Sequence, residues 1–146
     1  MFWLGYLLFN LLLIIIYLKP RRKIYYLPGI VACFLMFIVD TTAVKLKLYV
    51  FYGTPQIYNL PLFYLLNGFL LGIMFWGFKP QDCFLWLYIL LISLLFTGVE
   101  RAAELFRVYR HLNWSYWYSF FLNIFALIIV TAMVNYLNLL FTKKRN

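Results

Sequence analysis

The sequence predicts an all-α membrane protein, one small bundle of five transmembrane helices. Three observations carry this. The 146 residues are 66% hydrophobic and only 12% charged, which a soluble domain of this size could not cover. Five apolar runs approach the twenty or so residues that a span requires, at about 2–18, 24–44, 61–78, 83–106 and 116–141. Most of the charges fall between those runs or at their ends. No polar stretch is long enough for a separate soluble domain, so residues 1–146 form a single unit.

The first run, MFWLGYLLFNLLLIIIYL, invites a signal-peptide reading. It lacks a basic n-region and a small-residue cleavage site, and KPRRK follows it as a stop-transfer flank would, so a retained helix is expected. The second run ends in Asp40 and the fourth in Glu100. The third carries Gly68-x-x-x-Gly72, a spacing that lets helices approach closely. Packing against a helix of the same chain is the default use of those glycines, and a homodimer face is the sharper alternative. The fifth run follows a cluster of rings, Trp114, Tyr116, Trp117 and Tyr118, that together with Tyr49, Tyr52 and Tyr58 reads as an interfacial aromatic girdle.

The net charge of +9 raises the question of nucleic acid, but its location argues for lipid. If the runs alternate in direction, Lys19, Arg21, Arg22, Lys23, Lys79, Lys143, Lys144 and Arg145 share one side. Lys45, Lys47, Arg101, Arg107 and Arg110 share the other. Eight bases against five place the first set in the cytoplasm, with the N-terminus outside and the C-terminus inside, in the plasma membrane. Membrane lipids are then the expected partners, the basic loops meeting anionic headgroups.

Sliding the chain by sixty residues aligns Lys19-Pro20 with Lys79-Pro80, Asp40 with Glu100, Ala43 with Ala103, Lys47 with Arg107 and Tyr49 with Tyr109. This suggests a parallel two-helix repeat, about 1–60 and 61–120, with the fifth helix standing alone. Similar loops in any antiparallel bundle would account for the Lys-Pro match by themselves.

Within each copy, positions i, i+3, i+4 and i+7 share a helix face. Asp40, Ala43, Val44 and Lys47 form one stripe; Glu100, Ala103, Glu104 and Arg107 form the other. Seven residues of helix rise by roughly 10 Å, too far for a direct ion pair along one helix. Both acids stand before a full span is complete, and carboxylates at that depth are costly and usually face a bundle interior. The expectation is one interior polar cluster of Asp40, Lys47, Glu100, Arg101, Glu104, Arg107 and Asn123, with Arg107 or Arg101 as the base for Asp40. Solvated helix ends, with Lys45, Arg101 and Arg110 snorkelling, are the bland alternative.

Other chemistry is thin. His111 is the single histidine, and the acids Asp40, Glu100 and Glu104 have bases near them in sequence, so no metal or cofactor is expected. Cys33 and Cys83 read as small apolar residues rather than as a disulfide or a nucleophile. There is no glycine-rich phosphate loop and no serine nucleophile motif.

D-x-x-x-V-K-L-x-L-Y (Asp40 to Tyr49), Leu60-Pro61, Glu100 after LLFTGV, and Asn113-Trp114 followed by Tyr118-Ser119-Phe120 together resemble a family of small uncharacterised multi-pass membrane proteins of Gram-positive bacteria. The resemblance spans about residues 30 to 130 and implies a membrane location. In that family an acid and a second proline follow the Leu-Pro; here the segment reads FYLLNGFLL, with Asn67 the nearest polar residue. The layout bears a fainter likeness to carotenoid (lycopene) cyclase domains, whose Pro-x-Glu-Glu type motif is missing.

Two classes of function follow. A non-enzymatic structural, regulatory or lipid-binding bundle suits the size and the lack of a nucleophile. The alternative is an enzyme acting on a lipophilic, polyisoprenoid-like substrate with Asp40 or Glu100 as general acid, or a subunit of a small transporter. No catalytic residue can be assigned beyond these candidates.

Overall fold

A computed structural model describes residues 1–18, 26–53, 55–80 and 82–143. The bases Lys19, Arg21, Arg22 and Lys23 of the first loop, and Lys144 and Arg145 of the tail, lie outside the described residues. The elements run α1 (Phe2–Leu13, continued by a π turn Ile14–Leu18), α2 (Tyr26–Lys45), β1 (Tyr49–Phe51), β2 (Gln56–Ile57), β3 (Leu60–Pro61), α3 (Leu62–Gly77), α4 (Leu85–Leu105), β4 (Tyr109–His111) and α5 (Tyr116–Lys143). Among the described residues there are five α-helices, as the apolar runs predict.

Three of them, α2, α4 and Tyr116–Phe141 of α5, are long and apolar enough to cross a membrane. Phe2–Leu18 and α3 are apolar but shorter. At 16 residues α3 rises about 24 Å, less than the roughly 30 Å hydrocarbon layer. Large apolar side chains such as Phe9, Leu94, Leu95, Phe125 and Leu139 stand exposed on the outside, as lipid contact would require.

The helices alternate in direction. At one end Phe2 meets Phe106 and Trp3 meets Tyr64; at the other, Leu18 lies against Gly77. Glycine sets the closest approach, between α2 and α3. A Cβ on Gly72 would fall 2.6 Å from the Pro28 carbonyl oxygen and the Ala32 Cβ, and one on Gly29 would fall 2.8 Å from the Phe69 carbonyl oxygen. A Cβ on Gly68 would meet the Met36 side chain. The face of Gly68 and Gly72 is therefore filled within the chain, and a homodimer through it would have to displace α2.

The short strands were not anticipated. β1 and β4 pair antiparallel as Tyr49↔His111, Val50↔Arg110 and Phe51↔Tyr109. β2 and β3 form a hairpin closed by Tyr58 and Asn59, both at positive φ (51° and 65°), the conformation of a two-residue type I′ turn. The β1–β4 ribbon lies at the end of the bundle where α2 and α4 finish. Below it sit two apolar clusters. One, beneath the ribbon, is built on Trp3, Tyr49, Phe51, Leu60 and Tyr109; the other, deeper, on Val31, Phe75, Ile89, Leu127, Val130 and Val134.

Candidate functional site

The site is assembled by the way α2 and α4 end. After Ala43 the Leu48 amide returns to the Ala43 carbonyl and the Lys47 amide to the Val44 carbonyl, each at 3.0 Å. After Ala103 the Val108 amide returns to the Ala103 carbonyl at 3.0 Å and the Arg107 amide to the Glu104 carbonyl at 2.9 Å. Lys47 and Arg107 occupy the left-handed position of this Schellman closure, at φ 55° and 57°. The chain reverses there, and two residues later a tyrosine comes back over the helix end. This is why each acid is followed by a tyrosine nine places on.

Tyr49 and Tyr109 point inward and are 3% exposed. The Tyr49 hydroxyl donates to Asp40 Oδ1, and the Tyr64 hydroxyl, from α3, donates to Asp40 Oδ2 at 2.8 Å. Burial, and then the charge of Asp40, push the Tyr49 phenol well above its usual range, so it keeps its proton and remains a donor. Asp40 is 7% exposed, and no Lys or Arg among the described residues forms an ion pair with it. The expected arginine partner is replaced by phenols. The reason is local: Arg107 sits where the helix has already turned, and Arg101, still on α4, is directed to Glu104 and Tyr116.

Glu100 takes a different set. Its Oε1 lies 3.5 Å from Asn123 Nδ2, at the edge of hydrogen-bond reach, while Oε2 is buried without a partner. His111 of β4 packs next to it, with Nε2 3.8 Å from Glu100 Oε2 and 3.3 Å from the Tyr109 hydroxyl. The other ring nitrogen, Nδ1, is 3.9 Å from Glu104 Oε1 and is itself buried and unbonded. Burial lowers the His111 pKa; Glu104 opposes that and Arg101 adds to it. Glu104 belongs to an outer group with Arg101, whose Nη1 lies 3.2 Å from its Oε2, and with the Tyr116 hydroxyl, which donates to the same oxygen.

Asp40, Glu100 and Asn123 open on one cavity of about 150 Å³. Tyr49, Phe51, Tyr64 and Tyr109 wall its ribbon end; Leu35, Leu71, Phe96, Leu122, Leu127 and Val130 line its depth. The cavity thus lies between the two apolar clusters, polar at one end and oily along the rest.

Comparison with protein-family models, with curated proteins and with solved structures finds no match to this chain.

The seven residues singled out in sequence divide three ways. Asp40, Glu100 and Asn123 come together at the cavity. Arg101 and Glu104 pair outside it, joined to it through His111. Lys47 and Arg107 are exposed on the helix ends and hold a turn rather than a charge. Among the rings assigned to a girdle, Tyr49 lines the cavity, whereas Tyr52, Tyr58, Trp117 and Tyr118 are exposed. Asn67 also lines the cavity: it accepts from Asn10 Nδ2 at 2.8 Å and donates to the Trp3 carbonyl at 3.1 Å, tying α3 to α1. Sequence reasoning missed Tyr64 and His111. The paired Asp40…Tyr49 and Glu100…Tyr109 spacing was the signal for the phenols, while Tyr64 left no signal at all.

Proposed function

We propose that this protein is a non-enzymatic, membrane-embedded bundle that holds a lipophilic small molecule in its interior. The observation that carries the reading is the 150 Å³ cavity, apolar along its depth and closed at one end by two carboxyl groups and three phenols. Ligand sites have this form, an oily wall with a few convergent polar groups. The test is native mass spectrometry of the protein released from its host membrane. A bound small molecule should appear on the wild type and be lost in Ala126→Phe, which fills the cavity from α5. A wild type without such a mass, or a variant that keeps it, refutes the reading.

The setting we propose is the plasma membrane, crossed five times, with the N-terminus outside and the C-terminus in the cytoplasm. The exposed apolar exterior and three span-length helices support it, as does the excess of bases on one side. α1 and α3 would complete the set by local thinning of the bilayer around them. With Cys33 and Cys83 changed to Ser, cysteines at Lys79 and Gln56 should label from opposite faces; labelling from one face sinks the topology. Kinship with the Gram-positive membrane family remains a proposal of the same kind, resting on the segment Asp40 to Tyr49.

A second reading is favoured by one observation, a Glu100 carboxyl on the wall of an apolar cavity with its Oε2 lacking a hydrogen-bond partner. A carboxylic acid there could protonate a lipophilic substrate. In that case the bound molecule would be converted by the wild type and left unchanged by Glu100→Gln. If it comes back unaltered from both, the binding role stands.

A further inference from the structure

We infer that the ribbon end of the cavity receives a positively charged head, so that the ligand is a single-chain amphiphilic amine. This rests on the cavity reading above and goes on to its ligand. Asp40 and Glu100 line one partly open cavity; no Lys or Arg among the described residues pairs with either, and the His111 ring lies 3.8 Å from Glu100. Asp40 accepts from two phenol donors, neither of which carries a positive charge. One acceptor on the wall is open, Glu100 Oε2, which has the His111 ring at 3.8 Å. A buried carboxyl oxygen is seldom left in this state, and it marks where a donating head belongs.

The walls choose its charge. Phe51 packs against Tyr64 at 4.5 Å between ring centroids, against Tyr109 at 5.0 Å and against Tyr49 at 5.7 Å. Aromatic faces carry negative potential and attract a cation, more strongly where water is excluded. An anionic head would sit beside two carboxyl groups with no Lys or Arg among the described residues paired to either. Size limits the rest: an apolar cavity of about 150 Å³ holds a benzene-sized group, so a head and its first methylenes fit and a diacyl lipid does not.

Dodecylamine, dodecanol and dodecanoate, which share one chain length, separate the possibilities. Each is titrated into the full-length protein in phosphatidylcholine nanodiscs, with thermal unfolding as the readout. Dodecylamine should raise the melting temperature saturably, with at least tenfold higher apparent affinity than dodecanol, and dodecanoate should have no effect. Glu100→Gln, which keeps the size of the side chain and an oxygen for Asn123 and Ser119, should lose that tenfold preference while keeping its fold. Equal response to amine and alcohol, or a preference that survives Glu100→Gln, overturns the cationic head and leaves the cavity reading standing. An amine response unchanged in Ala126→Phe places the binding elsewhere and overturns both.

Discussion

Asp40 shows what a single residue demands of its surroundings. A buried carboxylate needs donors, and here they are the hydroxyls of Tyr49 and Tyr64. Tyr49→Phe removes one of them while keeping the ring, so the chain should lose about 1–3 kcal/mol, read as a fall in melting temperature in detergent. A variant as stable as wild type would mean that the pairing contributes nothing. His111 is the residue to follow with pH. Glu100, Glu104 and Arg101 face it from α4, Tyr109 from its own strand and Tyr116 from α5. Its folded pKa lies below the ordinary 6.5, chiefly through burial, so the unfolded chain takes up the proton first. The stability His111 contributes is therefore complete above about pH 6.5 and is lost as the pH falls toward the folded value. Between pH 7 and pH 5 wild type should lose melting temperature relative to His111→Gln. Parallel curves for the two proteins would show that another group controls the acid response.

The ends of α2 and α4 show what an element can specify and what it conceals. Long apolar runs announced the helices, because a span must be oily over its whole length. The acid at i and the base at i+7 were visible too, and on a continuing helix they would share a face. What the pattern could not show is that the helix stops between them. The closure uses Lys47 and Arg107 at a position that glycine normally fills, so the usual stop signal is absent. The strands escaped for a related reason: three residues are too few to reveal a period of two. Left-handed backbone costs a residue with a side chain on the order of 1 kcal/mol. Lys47→Gly and Arg107→Gly should each stabilise the fold by about 0.5–1 kcal/mol in thermal unfolding. A loss in either would mean that the long side chain itself contributes at that end.

At the scale of the molecule, residues sixty apart in sequence meet in the β1–β4 ribbon. Val50 and Arg110 are equivalent positions in the two copies, and they face each other across the ribbon. The flanking pairs exchange roles: Tyr49 faces His111, and Phe51 faces Tyr109. The closing bonds do the same, Tyr52 amide to Val108 carbonyl and Leu112 amide to Leu48 carbonyl, both 2.9 Å. Such reciprocity is what a two-fold relation between equivalent segments produces, as in a symmetric dimer interface. It brings both acids to the same end of one cavity, which either copy alone would leave open. The ribbon joins the segments that follow α2 and α4, and it can be locked. Residues facing each other in a hydrogen-bonded antiparallel pair have Cα atoms about 5.5 Å apart, inside the range a disulfide bridges. Val50 and Arg110 point away from the core, so the change leaves the cavity wall untouched. With Cys33 and Cys83 replaced by Ser, Val50→Cys with Arg110→Cys should oxidise readily and raise stability by about 2–4 kcal/mol, reversibly on reduction. Failure of the two thiols to join under mild oxidant would mean that the strands do not pair in this register, and the two-fold joint would fall with it.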